Sequence, residues 1–229
     1  MTSARALGAP PAHVSPVRSR PVFRIGSVGT TATDCLLQEL KTWPKPGLVS
    51  HIDSGSHQDM NADTFRTSAM AIKPYLSALA EAGSRGAEMG RLRIIGLEAE
   101  AAMLHATSGI NTHRGAIFGL GLLCAAVGAR ISGQVDPALP LGAVVAQLWG
   151  DGILGGPVLL HSHGSGARRR FGAGGARMEA AKGFPSIYGV GLPALRRAAQ
   201  ALPDDAEAAR IEACFALIAA VEDLSLIHI

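Results

Sequence analysis

Apolar residues recur every three or four positions in stretch after stretch of this chain, and nowhere do they convincingly alternate. Phe65, Ala69, Ile72 and Leu76 mark one such face; Leu92, Ile95, Ala99 and Met103 mark another. That period matches the turn of an α-helix, whereas a half-buried strand needs a period of two. The chain is therefore expected to be all-α, a single compact multi-helix domain with long functional loops. Composition agrees: 48% of residues are hydrophobic but only 4% aromatic. An Ala/Leu/Gly-rich, aromatic-poor chain favours close helix packing over a β-sandwich.

Helices are expected over 36–40, with Asp34 as N-cap, and over 64–82, where Pro74 must kink the helix or split it in two. Others are expected over 89–106, 114–129, 141–149, 192–201 and 205–221. Between them, 44–61 reads as a long polar loop, and 150–188 as an irregular stretch rich in glycine and basic residues. There is no internal repeat. The organisation that follows is a disordered leader, 1–26, and a helical domain, 27–223.

The formal charge of +3 hides an asymmetry. No acid precedes Asp34, and Arg5, Arg18, Arg20 and Arg24 give the leader +4; the remainder has 17 bases against 18 acids, or −1. The basic balance thus belongs to the leader and does not imply a nucleic-acid surface. Cys35, Cys124 and Cys214 are widely spaced without a CxxC pair, and are read as buried free thiols in a reducing cytoplasm. The longest apolar run, 116–129, is interrupted by glycines and too short to span a bilayer, and no signal peptide is visible. The expectation is a cytoplasmic protein with no membrane or nucleic-acid partner.

Two polar motifs stand out from this helical background. The first is Lys45-Pro46-Gly47-Leu48-Val49, continuing through His51 to Gly55-Ser56-His57-Gln58-Asp59-Met60. Lys45 beside Gly47 suits phosphate, a cation next to a residue that allows close backbone approach. His51, His57 and Asp59 on one loop suit a divalent ion or an acid/base pair, although the spacing matches no zinc motif. The second motif is Thr107-Ser108-Gly109-Ile110-Asn111-Thr112-His113-Arg114-Gly115. Asn111 or Thr112 is placed to cap the apolar helix that follows, and that helix's first amides suit an anion. Glu98 and Glu100 lie on different faces of their helix, and Glu100 is the one expected to face the 111–113 turn. A third, locally basic stretch runs from His161 and His163 through Arg168, Arg169 and Arg170 to Arg177 and Lys182. Its arginine forks suit a polyphosphate. There is no Walker A sequence and no GxGxxG.

Taken together, these motifs resemble the triphosphoribosyl-dephospho-coenzyme A synthase family. The resemblance runs from about Leu36 to Asp223. It rests on Lys45 to Val49, Gly55, His57, Asp59, Met60, Glu100, Met103, Thr107, Gly109, Asn111-Thr112-His113 and Gly115. Further on it rests on Phe118, Leu120 to Leu123, His163-Gly164 with the basic run, Gly175-Ala176-Arg177 and Gly183-Phe184-Pro185. Trp43-Pro44-Lys45 and Leu160-His161-Ser162-His163-Gly164 look most like its malonate decarboxylase branch, rather than the citrate lyase branch.

The resemblance implies a transferase. It would move the triphosphoribosyl group of ATP to the 2′-hydroxyl of 3′-dephospho-coenzyme A and release adenine, with Mg²⁺ expected. The product would be the precursor of a prosthetic group on an acyl carrier protein subunit. Asp59, Glu100, His57, His113 and Asn111 would then be catalytic, with Asp59 and Glu100 also the metal candidates. Lys45, Gly47, Thr112, His163, Arg168, Arg169, Arg170 and Arg177 would bind substrate. Two alternatives are a metal-dependent helical phosphohydrolase acting through His51, His57, Asp59 and His113, and a nucleotide-binding module without catalysis. After Val221-Glu222-Asp223 the chain departs from the family pattern. The residues 224–229, Leu-Ser-Leu-Ile-His-Ile, read as a translated sequencing adapter, which would leave the domain incomplete at its C-terminus.

Overall fold

The computed structural model describes residues 24–156 and 175–221. The leader before Arg24, the chain from 222 onward and the segment 157–174 lie outside the described residues. That segment contains His161, His163, Arg168, Arg169 and Arg170. A 3-10 turn, Ile25–Ser27, leads into α1 (Val28–Lys41). Then follow α2 (Ala62–Ser84), α3 (Met89–Ala106), α4 (Arg114–Ile131), α5 (Leu141–Leu154) and α6 (Gly175–Ala181). A π-helical turn, Ile187–Gly191, precedes α7 (Leu192–Ala201) and α8 (Ala206–Ala220). No strand occurs among the described residues. The all-α expectation holds.

The helix start at α1 differs from expectation. The helix begins at Val28, with Ser27 as its N-cap, so Asp34 lies inside it rather than capping it. The first turns, Val28-Gly29-Thr30-Thr31-Ala32-Thr33, combine glycine with β-branched residues of poor helix propensity. Packing overrides that preference: Val28, Gly29, Ala32 and Thr33 are all buried. A Cβ on Gly29 would lie 2.0 Å from Ser77 Oγ and 2.9 Å from the Lys73 carbonyl, so α1 rests on the backbone of α2.

α2 stays one helix through Pro74. Pro74 and Met70, whose carbonyl loses its usual donor, are both exposed, so the missing bond faces water instead of the core. The helix start is well specified. Asn61 Oδ1 accepts from the Asp63 and Thr64 amides, each at 3.0 Å, and Thr64 Oγ1 accepts from the Asn61 amide at 3.3 Å. This reciprocal cap contributes about 1 kcal/mol.

Ile72, Leu76, Met103, Val144 and Ile153 are among the fully buried side chains of a core built by α2, α3, α4 and α5. Each contributes about 1.5–3 kcal/mol by leaving water. α4 is 18 residues long and apolar enough to cross a bilayer on length and composition, longer than the 116–129 run suggests. Its Ile117, Leu122, Cys124, Ala125 and Ala129 are instead buried against the rest of the bundle. The stretch expected to be irregular, 150–188, is more ordered than its glycines imply. α5 runs on to Leu154, and α6 and the π-turn occupy much of 175–191. Gly142 and Gly183 explain part of this, because a Cβ on Gly142 would meet the Gly183 carbonyl at 2.1 Å.

Short connections return the chain on itself between α2 and α3 and between α3 and α4. The N-terminal end of α2, the C-terminal end of α3 and the N-terminal end of α4 therefore share one end of the bundle. The 42–61 loop covers that same end.

Candidate active site

His113 is the centre of this end. It is buried, 6% exposed, although it sits at the N-cap position of α4. Its Nδ1 lies 2.6 Å from Ser68 Oγ on α2, and Thr112 Oγ1 donates to the same Ser68 oxygen at 2.6 Å. The Phe65 ring meets the imidazole edge-on at 4.8 Å between centroids. The His113 amide donates to Met103 Sδ at 3.1 Å. Burial, and secondarily the positive charge of Lys45, lowers the His113 pKa from 6.5 to about 4. Both causes disfavour the imidazolium, so the ring is neutral near pH 7.

That shift has a measurable consequence. The folded state refuses a proton that the unfolded chain accepts, so stability falls as pH drops below 6.5, and this decrement is complete near pH 4. The loss attributable to His113 is on the order of 3 kcal/mol. Urea denaturation at pH 7 and pH 4.5 should show a smaller drop in His113→Gln than in the wild type. An equal drop in both would place the acid sensitivity elsewhere.

The Lys45 side chain is only 1% exposed. The ammonium donates to the Glu39 carbonyl at 2.9 Å and forms an ion pair with the Glu39 carboxylate. It thereby sits at the C-terminal turn of α1, where the helix dipole favours a cation. In this arrangement Lys45 faces the protein rather than a phosphate. Nearby, Arg210 of α8 donates to Thr42 Oγ1 at 3.0 Å, tying the last helix to the start of the loop.

The loop itself is folded around Asp53. Its carboxylate accepts from Trp43 Nε1 at 3.1 Å and from the Gly55 amide at 2.8 Å. Gly47 and Gly55 both adopt positive φ, at 78° and 58°. They meet so closely that a Cβ on Gly55 would lie 2.6 Å from the Gly47 carbonyl. The Gly47 oxygen is taken by Ser56, from its hydroxyl at 2.9 Å and its amide at 3.2 Å. Gly47 is therefore a loop-shaping residue. His57 and Asp59 stand out from this loop, 40% and 62% exposed, with 3.9 Å between Nδ1 and Oδ1. His51 is also exposed.

Glu100 pairs with Arg114, the residue that follows the 111–113 turn and opens α4. The Arg114 amide in turn donates to Asn111 Oδ1 at 3.3 Å, so Asn111 serves the first turn of α4 while remaining exposed. No cluster of three or more His, Cys, Asp or Glu suited to a metal occurs among the described residues. Asp59 and Glu100 thus belong to no protein-built cage of three or more such ligands among the described residues. The four donors of the phosphohydrolase alternative are likewise not assembled, since His113 is buried on Ser68 while His51 and His57 are exposed.

Arg177 lies apart from this group. Its guanidinium donates to the carbonyls of Ile153, Leu154 and Gly156, closing the C-terminus of α5. A cavity of about 490 Å³ opens there, lined by Glu88, Met89, Arg93, Trp149, Gly152 and Gly156. It sits at the N-terminal end of α3, about 27 Å of helix away from the His113 end. His163, Arg168, Arg169 and Arg170 belong to the segment that leaves from Gly156, outside the described residues. The cysteines carry no part of the site. All three are free thiols, but Cys35 is exposed where burial was expected. Burial pushes the Cys124 thiol up to about 12.

Sequence reading missed Ser68, Glu39 and Arg114. Ser68 left a trace: it is a polar residue within the apolar stripe of Phe65, Ala69 and Ile72. Arg114 lay within the second polar motif but was given no role, and Glu39 left no trace, since it reads as an ordinary helix-terminal charge.

Comparisons with known proteins show the family. The family of ATP:dephospho-CoA triphosphoribosyl transferases matches residues 26–228. A Pseudomonas putida protein named a probable 2-(5''-triphosphoribosyl)-3'-dephosphocoenzyme-A synthase is 37% identical over 199 residues, 84% of this chain and 69% of its own. An Azotobacter vinelandii protein of the same name is 38% identical over 202 residues, 86% of this chain and 68% of its own. No solved structure matches the chain. The match takes in both polar motifs, the helices that bring them to one end and the helices that support them. On that breadth, the chain belongs to the ATP:dephospho-CoA triphosphoribosyl transferase family.

Proposed function

We propose that this protein transfers the triphosphoribosyl group of ATP to the ribose 2′-hydroxyl of 3′-dephospho-coenzyme A. The observation that carries this reading is the family match across the whole described bundle, with relatives named for that product. The C1′–N9 bond of ATP breaks and its electron pair leaves with adenine. A bond forms between C1′ and the acceptor oxygen, and the proton of the acceptor hydroxyl ends on adenine. The triphosphate stays intact, so this is glycosyl and not phosphoryl transfer.

The residues at the His113 end supply what such a step needs. Positive charge develops at C1′, and a fixed carboxylate stabilises it. Asp59 is the exposed candidate, with His57 beside it as proton carrier. Glu100 is already neutralised by Arg114, and that Arg114 guanidinium adds a cation near the turn for the polyphosphate. Asn111 keeps its amide group for a ribose hydroxyl, because its oxygen serves α4. Magnesium enters with the substrate, as MgATP, held by phosphate oxygens and water as its coordination prefers. Outside the described residues, Arg168, Arg169, Arg170 and His163 are further polyphosphate candidates of this reading. The motif variants at Trp43 and Leu160 favour the malonate decarboxylase branch, so the product would go to the acyl carrier subunit of that decarboxylase, in the cytoplasm.

Mass spectrometry of a reaction with MgATP and 3′-dephospho-coenzyme A tests this. Two new products are expected: adenine, and one with the mass of both substrates less adenine. Orthophosphate or pyrophosphate with no such product would replace the reading with hydrolysis.

A further inference from the structure

Ser68 sits on α2 and is fully buried, at 0% exposure. Its hydroxyl touches Thr112 Oγ1 and His113 Nδ1, each at 2.6 Å. A bundle gains nothing in packing from such a polar chain, and a buried hydroxyl costs free energy unless fully bonded. The hydrogen count decides what the chain does. With Thr112 as the donor between the two hydroxyls, the single hydroxyl hydrogen of Ser68 is left for Nδ1. Nδ1 is then an acceptor, and a neutral imidazole must carry its proton on Nε2. Phe65 against the ring and Met103 on the His113 amide hold the orientation.

Nε2 itself has no protein partner among the described residues. Nor is it sealed: Arg130 Nε is the one described side-chain nitrogen or oxygen both buried from solvent and unpartnered. The slight exposure of His113 thus includes this ring edge. We propose that Ser68 is a positioning residue which, with Thr112, fixes His113 as the Nε2–H tautomer and presents that N–H to the substrate.

This deepens the transferase reading and rests on it for its consequence. An Nε2–H imidazole is a donor, suited to the electron pair that leaves C1′ with adenine; neutral histidines can act as electrophiles in this way. The opposite tautomer would expose an acceptor, suited instead to take the proton of the 2′-hydroxyl. The tautomer therefore assigns His113 to the leaving group and not to the nucleophile.

Long-range ¹H–¹⁵N spectra of the histidine rings at neutral pH read the tautomer directly. The protein has eight histidines, and the His113 signals are those lost in His113→Gln. Wild type is expected to show His113 Nδ1 as unprotonated and Nε2 as protonated; the reverse pattern overturns the proposal. Ser68→Ala is expected to lose the single-tautomer signature, with kcat about tenfold lower and the ATP KM unchanged. Ser68→Thr, which keeps the hydroxyl, is expected to retain the signature. A wild-type spectrum in Ser68→Ala also overturns the proposal. The spectra report the tautomer whether or not adenine is released, so a failure of the transferase reading would be seen separately.

Discussion

Replacing Gly128 with alanine is expected to cost about 2–3 kcal/mol of folding stability, and replacing Gly83 about the same. The two glycines are where α2 and α4 cross. A Cβ on Gly128 would lie 1.9 Å from the Ala80 carbonyl oxygen, and one on Gly83 would lie 2.0 Å from the Ala125 carbonyl oxygen. Both obstacles are backbone, so no side chain can swing aside and the helices must separate. Separation opens voids in the core, where Ile72, Leu76 and Ala125 are almost wholly out of water. Alanine recovers about 1 kcal/mol of helix propensity, which offsets only part of this. Gly90, on α3, is the control, since a Cβ there meets nothing within 4 Å. Gly90→Ala should be neutral or stabilising by up to about 1 kcal/mol. Urea denaturation of the three variants checks the set, and a Gly128→Ala protein as stable as the wild type would contradict the crossing.

The largest effect on turnover is expected at Asp59. Asp59→Asn should lower kcat by about 100-fold or more while leaving the fold intact, because a preorganised charge facing a developing cation acts mainly in the transition state. The geometry separates Asp59 from Glu100, which sequence alone left equivalent. Asp59 is 62% exposed and its one ion pair among the described residues is with His57, whereas Glu100 is 25% exposed and already paired with Arg114. Glu100→Gln should therefore remain within about fivefold of wild-type kcat, the effect of loosening one partly exposed ion pair. Steady-state kinetics on both variants, with circular dichroism to confirm folding, decides the matter. A severe loss in Glu100→Gln with an active Asp59→Asn would move the carboxylate role to Glu100. Full turnover in both would remove the carboxylate from the mechanism.

Much of this could be read from the chain because helical period and polar motif are local signals. The span of α3 and the start of α4 follow from Leu92, Ile95, Ala99 and Met103 and from the Asn111 turn, and the structure agrees with both. The start of α1 was hidden because Gly29 and Thr33 are poor helix formers that only contact with α2 makes helical. The continuity of α2 was hidden because Pro74 breaks a bond on a side where water replaces it. At the site, motif spacing located His113 and Glu100 but not what they touch. Lys45 reads as a phosphate cation, and only the fold shows Glu39 taking its charge. Ser68 lies 45 residues from His113 in the chain, a separation across which no local pattern carries information.

Free adenine is the most direct readout of the central claim. It should be measured with MgATP alone, with 3′-dephospho-coenzyme A alone, and with both. The account predicts adenine only when both are present, in proportion to the acceptor consumed and without matching phosphate. Adenine from ATP alone, or phosphate in place of adenine, would contradict it.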